Sequence, residues 1–181
     1  MSVYIGIDPS LTGTAVAIID GDGIRTSRLT TKPDAGTPAS MVARLDKIER
    51  WVAQHLDSGQ IAVGVEGPAY SQQVQAGVHA RAGLWWRLVT RALMHADQVH
   101  IIAPTSLKRY AVGVGAGPRA SKDAVLLAVA KRYPHADIAS NDESDALVIA
   151  AMVARLHGHP IDDPLPQANL AAMAALTQEP M

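Results

Sequence analysis

The amino-acid sequence predicts an α/β fold: a mixed five-stranded sheet, three strands antiparallel and two parallel, with helices on both faces. Three observations lead there. Short apolar runs alternate with a period of two, the first three follow one another through tight turns, and the later ones are separated by stretches with apolar residues at helical spacing. Strands joined by turns pair antiparallel, whereas strands joined through a helix pair parallel, so the order argues for a mixed sheet. With 181 residues, 48% of them hydrophobic, the chain has apolar surface enough for one compact core.

Val3, Ile5 and Ile7 alternate in the first strand, and Ala15 to Ile19 make the second. Asp20-Gly21-Asp22-Gly23 is a hairpin turn, and Ile24 opens a third strand running to about Thr31. The aspartates of that turn lack the spaced ligands and terminal glutamate of a calcium loop. After a loop from Lys32 to Pro38, Met41, Leu45, Ile48, Val52 and Leu56 recur on one face of an amphipathic helix. Ile61, Val63 and Val65 form a fourth strand that ends at Glu66, where Gly67-Pro68 breaks it. A second helix is expected from about Gln75 to Ala96, a fifth strand from Val99 to Ala103, and further helices over Pro104 to Tyr110, Ser121 to Tyr133 and Asp142 to His157. The spacing thus predicts one domain over residues 1–157. Residues 158–181, with Pro160, Pro164 and Pro166 followed by an Ala-rich stretch, are expected to be a loosely attached tail with a short helix near Ala168 to Leu176.

Composition excludes several function classes. No stretch approaches the roughly 18 apolar residues of a membrane span, and the amino terminus runs into a strand with no charged leader, so a cytoplasmic, membrane-free protein is expected. Without cysteine there are no disulfides, zinc ribbons or thiol nucleophiles, and any metal must be held by oxygen or imidazole. The net charge of -1 conceals a local imbalance: between residues 80 and 135 nine Lys or Arg stand against two acids, Asp97 and Asp123. Such a run fits solvated helix faces as well as a phosphate-binding surface, and only a neighbouring site can decide between them.

Four acids mark that site. The period of two that buries Val3, Ile5 and Ile7 puts Asp8 on the opposite face with Gly6, and Glu66 shares its face with Ala62 and Gly64 in the same way. If the two strands are parallel neighbours, both carboxylates point into one space at the carboxyl edge of the sheet. Asp142 and Asp145, three apart at the start of the last helix, share a face and can close on that space. Asp142 equally fits a helix N-cap, with Asp145 at the favourable dipole end. Gathered carboxylates repel one another unless a cation joins them. Oxygen ligands without sulfur select Mg²⁺ or Mn²⁺, and two such ions can activate a water and stabilise the leaving oxygen of a phosphodiester.

These segments resemble a known family. IGIDPSLTGTAVAII is similar to the first motif of RuvC-type Holliday junction resolvases, GVEGPAY to the second, and NDESDALVIA to the last. PTSLKRYAVGVGAGPRASKDAV resembles the basic segment between them, and the likeness covers about residues 2 to 157. The resemblance implies an RNase H-like fold and a homodimer that nicks branched DNA, above all four-way junctions, at two symmetric sites. It also implies two Mg²⁺ per site, replaceable by Mn²⁺ and held by Asp8, Glu66, Asp142 and Asp145, with Lys122 beside the cut phosphate as a catalytic group. DNA contacts are expected from Lys108, Arg109, Arg119, Lys122, Tyr70 and Arg81. Two places depart from the family pattern: the glycine-rich stretch before Lys122 is a residue longer, and the aromatic after the second acid is displaced, with Ala69 in its slot and Tyr70 following.

Gly113 to Gly117 suggests a phosphate loop, but no Gly-Lys-Ser/Thr follows, and no nucleotide cofactor is expected. Trp85 and Trp86 fit either core or a dimer face, and His157 and His159 read more simply as structural than as metal ligands. The first strand pattern is also similar to that of sugar kinases and actin-like ATPases, which need two such domains. Within the nucleases, a general debranching enzyme or an RNA-processing relative would use the same carboxylates, and a non-catalytic junction-binding module would not need them.

Overall fold

The structure, a computed structural model, describes residues 2–33, 36–56, 61–68, 77–113 and 121–176. Strands β1 (Val3–Asp8), β2 (Gly13–Asp20), β3 (Gly23–Thr30), β4 (Ile61–Glu66) and β5 (Gln98–Ile102) form one sheet in the order β3-β2-β1-β4-β5. β1 pairs antiparallel with β2 and parallel with β4, β2 pairs antiparallel with β3, and β4 pairs parallel with β5. This is the mixed sheet that the order of segments predicts. Gly23, at φ 117°, supplies the left-handed backbone that closes the β2–β3 hairpin.

Alternation divides the core into two layers. Val3, Ile5, Ile7, Val63 and Val65 face Leu45, Ile48 and Val52 of α1 (Pro38–Ala53) and Leu84 and Leu88 of α2 (Val78–His95). On the other face Tyr4, Ala15, Ala17 and Ala62 lie under α5 (Asn141–Leu156), which α3 (Pro104–Val112) and α4 (Lys122–Arg132) enclose from outside. α5 is fully buried from Ala146 to Ala154, as a helix apolar on all sides requires. It comes this close because the strands beneath it lack side chains at the crossing. A Cβ on Gly6 would collide with the Ala146 carbonyl and the Ala150 amide, and one on Gly64 with Ile149 and Val153.

Two expectations need correction. α2 is helical from Val78, since Gly77 stands at φ 78° before its first turn, while Gln75 lies outside the described residues. The segment after Gly158 is not loosely attached over its described part. Its Asp162 is buried and accepts hydrogen bonds from Tyr110 Oη (2.9 Å), Tyr133 Oη (2.6 Å) and Arg155 Nη2 (2.8 Å). Asn169 Nδ2 donates to the Tyr110 carbonyl (2.8 Å), capping the end of α3, and Ala172 joins the core. The proline-rich composition concealed this because the segment is held by two buried polar side chains, Asp162 and Asn169, and by apolar contacts from Leu165, Ala172, Met173 and Leu176 that follow no single strand or helix period. The short helix expected near Ala168 is present as a helical turn over Gln167–Leu170 followed by a 3₁₀ turn over Ala171–Ala175. Among the described residues no helix is long and apolar enough to cross a membrane.

Candidate active site

The site lies at the carboxyl edge of the central parallel pair. Asp8 is the last residue of β1 and Glu66 the last of β4, and the parallel register, with Ile7 opposite Val65, brings them side by side. Each strand end is fixed by its surroundings. Ser10 and Thr14 close the loop after Asp8, the threonine hydroxyl donating to the Ser10 carbonyl at 2.6 Å. Trp85 Nε1 donates to the Glu66 carbonyl (2.8 Å), and the Gly67 amide to that of Ile102 (2.8 Å). Trp85 is therefore an anchor for the acid-bearing strand, while Trp86 is 63% exposed.

α5 supplies the other two acids. Its start is fixed by a capping box: Ser140 accepts from the Glu143 amide, and Glu143 Oε2 accepts from the Ala139 amide and the Ser140 hydroxyl. Ser140, not Asp142, is the N-cap, which frees Asp142 for other work. Asp8, Glu66, Gly67, Pro104, Lys108, Lys122, Val125 and Asp145 together line a cavity of about 210 Å³. Asp142 stands outside that lining, its Oδ2 accepting from Arg28 Nε of β3 at 2.7 Å.

Electrostatics confirm that the acids crowd one another. Burial first, then the charge of Glu66, holds the Asp8 carboxyl well above the usual range, with Asp142 adding to the effect and Lys122 opposing it. Burial and the charge of Asp145 raise Glu66, which Asp8 meets through a side-chain hydrogen bond while Lys122 and Lys108 offset part of the rise. Burial, then Asp8, pushes Asp145 up to about 7. Buried carboxylates facing one another without full cation compensation share protons, and a cavity lined by three of them and two ammonium groups has the chemistry of a hard divalent cation site. Among the described residues no three His, Asp or Glu side chains already stand as a finished coordination set. Asp142 is bonded instead to Arg28.

The expected site residues separate accordingly. The fold brings Asp8, Glu66, Asp145, Lys108 and Lys122 to one cavity, so Lys122 reaches it despite the longer glycine-rich stretch before it. Arg109 is exposed on α3, and Arg81 is exposed in the first turn of α2. Tyr70, Arg119 and most of Gly113 to Gly117 lie outside the described residues. The regional excess of positive charge is smaller at the surface than the count implied. Arg87 pairs with Asp46 and Glu49, Arg91 with Glu49, and Arg132 with the Tyr110 and Ala111 carbonyls. His157 is bonded to His100 at the far end of the sheet (3.0 Å), not to the acids. Arg28 was missed altogether. Its only signal is register: it lies opposite Ala15, which lies opposite Asp8, and that row exists only once three strands are aligned.

No family model matches the chain. Among curated proteins it is 31% identical over 159 residues to the crossover junction endodeoxyribonuclease RuvC of Acidiphilium cryptum, covering 81% of this chain and 86% of that one. Among solved structures it resembles Thermus thermophilus RuvC in complex with a Holliday junction substrate, with a TM-score of 0.61 at 20% identity over 88% of this chain and 98% of that one. A second Thermus thermophilus RuvC structure gives 0.60 at 23% identity, covering 87% and 97% of the two chains. The likeness to these structures shows that the chain shares their fold.

Proposed function

The chain belongs to the RuvC family of crossover junction endodeoxyribonucleases, and we propose that it is a metal-dependent endonuclease that resolves branched DNA in recombination and repair. The observation that carries this reading is the cavity shared by Asp8, Glu66 and Asp145 with Lys108 and Lys122. Three raised carboxyls in one small space form a poor structural element and a good hard-cation site. Mg²⁺ is the proposed ion, two per site, with Mn²⁺ as a substitute. Asp8, Glu66 and Asp145 would hold it, joined by Asp142.

When bound, the ions supply an activated water and stabilise the departing oxygen. The protein's own groups do the rest. The two lysines stand on separate helices at the cavity wall, where an ammonium would offset the negative charge that builds on the phosphoryl oxygens as water adds. Lys122 is the proposed catalytic lysine, with Lys108 a phosphate contact beside it. Arg109 on α3 and Arg81 on α2 are exposed and are proposed to grip backbone phosphates farther out, as are Arg119 and Tyr70 in the segments that flank the site in sequence.

Paired nicking requires two sites, so the working form is proposed to be a homodimer. The test uses a synthetic four-way junction, a replication fork and plain duplex, with Mg²⁺ or with EDTA. The expected result is symmetric nicks at the crossover that EDTA abolishes. Equal cutting of fork and junction would instead assign a general debranching enzyme. Asp8→Asn is expected to bind the junction as tightly as the wild type while cutting at least about a thousandfold more slowly, because a ligand is lost and the basic groups are untouched. Cleavage at the wild-type rate in that variant would remove Asp8 from the machinery.

A further inference from the structure

We propose that Arg28 is a resident counter-cation of the site: it holds Asp142 out of the cavity and competes with the incoming divalent ion for that carboxylate, thereby setting the site's metal affinity. The inference rests on the reading of the cavity as a divalent cation site and goes beyond it by assigning a role to a residue on the edge strand.

Four observations carry it. First, Asp8, Ala15 and Arg28 are successive partners across β1, β2 and β3, so their side chains leave the same face of the sheet, the face that α5 covers. Ala15 between them is too small to block the arginine from reaching toward the acids. Second, Arg28 Nε meets Asp142 Oδ2 at 2.7 Å, and this contact accounts for Asp142 standing apart from the three acids that line the cavity. Third, space for the pair is reserved by bare backbone. A Cβ on Gly13 would collide with Arg28 Nη2 and Nε and with Asp142 Oδ2, so the ion pair is packed where only glycine permits it. Fourth, Asp142 stands one turn before Asp145 on α5, so the two acids leave the same end of the same helix, and its charge acts on Asp8 and Asp145.

The direction of the effect follows from charge. A guanidinium beside a dication site repels the ion directly and also occupies an oxygen that the ion would use, so both effects weaken metal binding. The arginine side chain is 34% exposed on the edge strand, so it can swing to solvent, or to a DNA phosphate, once the ion takes Asp142. The opposite role, in which Arg28 merely steadies Asp142 for ligation, predicts the opposite sign.

The test is Mn²⁺ titration of the whole protein without DNA, read from the loss of the free-ion electron paramagnetic resonance signal, with folding checked by circular dichroism. Arg28→Gln is expected to tighten Mn²⁺ binding by about five- to fiftyfold. Arg28→Lys, which keeps a cation on the strand, should shift it less and in the same direction, and it carries the test if the glutamine variant does not fold. In an Asp142→Asn background the effect of Arg28→Gln should shrink to the smaller part that direct repulsion supplies, because the contested carboxylate is gone. Unchanged or weaker binding in Arg28→Gln overturns the proposal, as does equal tightening with Asp142 removed. Failure of the underlying reading looks different: the wild type would then bind no Mn²⁺ that Asp8→Asn abolishes, and both ideas would fall together.

Discussion

Asp145 is raised to about 7 by burial and by Asp8, against an ordinary aspartate near 3.9 in an unfolded chain. A carboxyl raised on folding favours the folded state fully below the unfolded value, and that contribution is lost as pH climbs through the folded one. Asp8 and Glu66 are raised too, so they act in the same direction. The metal-free protein should therefore lose stability between about pH 4 and pH 7, on the order of 4 kcal/mol from Asp145, with Asp8 and Glu66 acting in the same sense. In EDTA the melting temperature should fall over that window. Saturating Mg²⁺ should reverse the fall near neutral pH, since an ion that binds only the folded state stabilises it. Asp145→Asn should flatten the EDTA profile, and a melting temperature that rises with pH in EDTA would contradict the crowding of these acids. The crowding was legible in the sequence because each acid interrupts an apolar alternation or opens an apolar helix. Arg28 was not, because a charged residue on an edge strand looks the same whether it faces water or an aspartate more than a hundred positions away.

The helix that brings Asp145 to the sheet depends on glycines at the strand crossings. Gly6 lies under helical backbone, where nothing can give way, whereas Gly64 lies under the methyl groups of Ile149 and Val153. Gly6→Ala should accordingly destabilise the protein by about 3 kcal/mol or more and Gly64→Ala by about 1–2 kcal/mol, measured by denaturant unfolding. Gly6→Ala should also weaken metal binding, because lifting α5 moves Asp145 away from Asp8. Equal costs for the two substitutions would mean that the helix is not seated as closely as described. The strands and most helices were readable from periodicity alone, since an apolar period of two or of 3.6 follows from which face is buried. The first turn of α2 was not, because apolar spacing does not register the Gly at positive φ that stands before it. The identity of the α5 cap was also hidden: Ser140 and Asp142 are both good capping residues, and the reciprocal bonds of Glu143 decide between them.

Across the whole molecule, the segment from Gly158 to Leu176 and the outer face of α2 have opposite fates. The former is locked down by Asp162, whose loss would strand Tyr110, Tyr133 and Arg155 without their shared acceptor. Asp162→Ala should cost about 3–5 kcal/mol, visible as a lower unfolding midpoint, while leaving the carboxylate cavity intact. Among the described residues the outer face of α2 has no cover. Trp86 and Leu93, seven apart and so on one side of the helix, are 63% and 44% exposed, with Met94 at 70% beside them. An exposed apolar stripe of this kind calls for a partner, and the paired nicking proposed for this chain makes a second copy of it the economical one. Trp86→Glu combined with Met94→Glu should shift the mass in light scattering from dimer to monomer. Mn²⁺ binding should persist, because the cavity is built within one chain, but paired incision should give way to slow single nicks, because the two strands would be cut in separate encounters. If the double variant remains dimeric, the interface lies on another face; if it becomes monomeric and still makes paired cuts, symmetric resolution does not depend on the dimer.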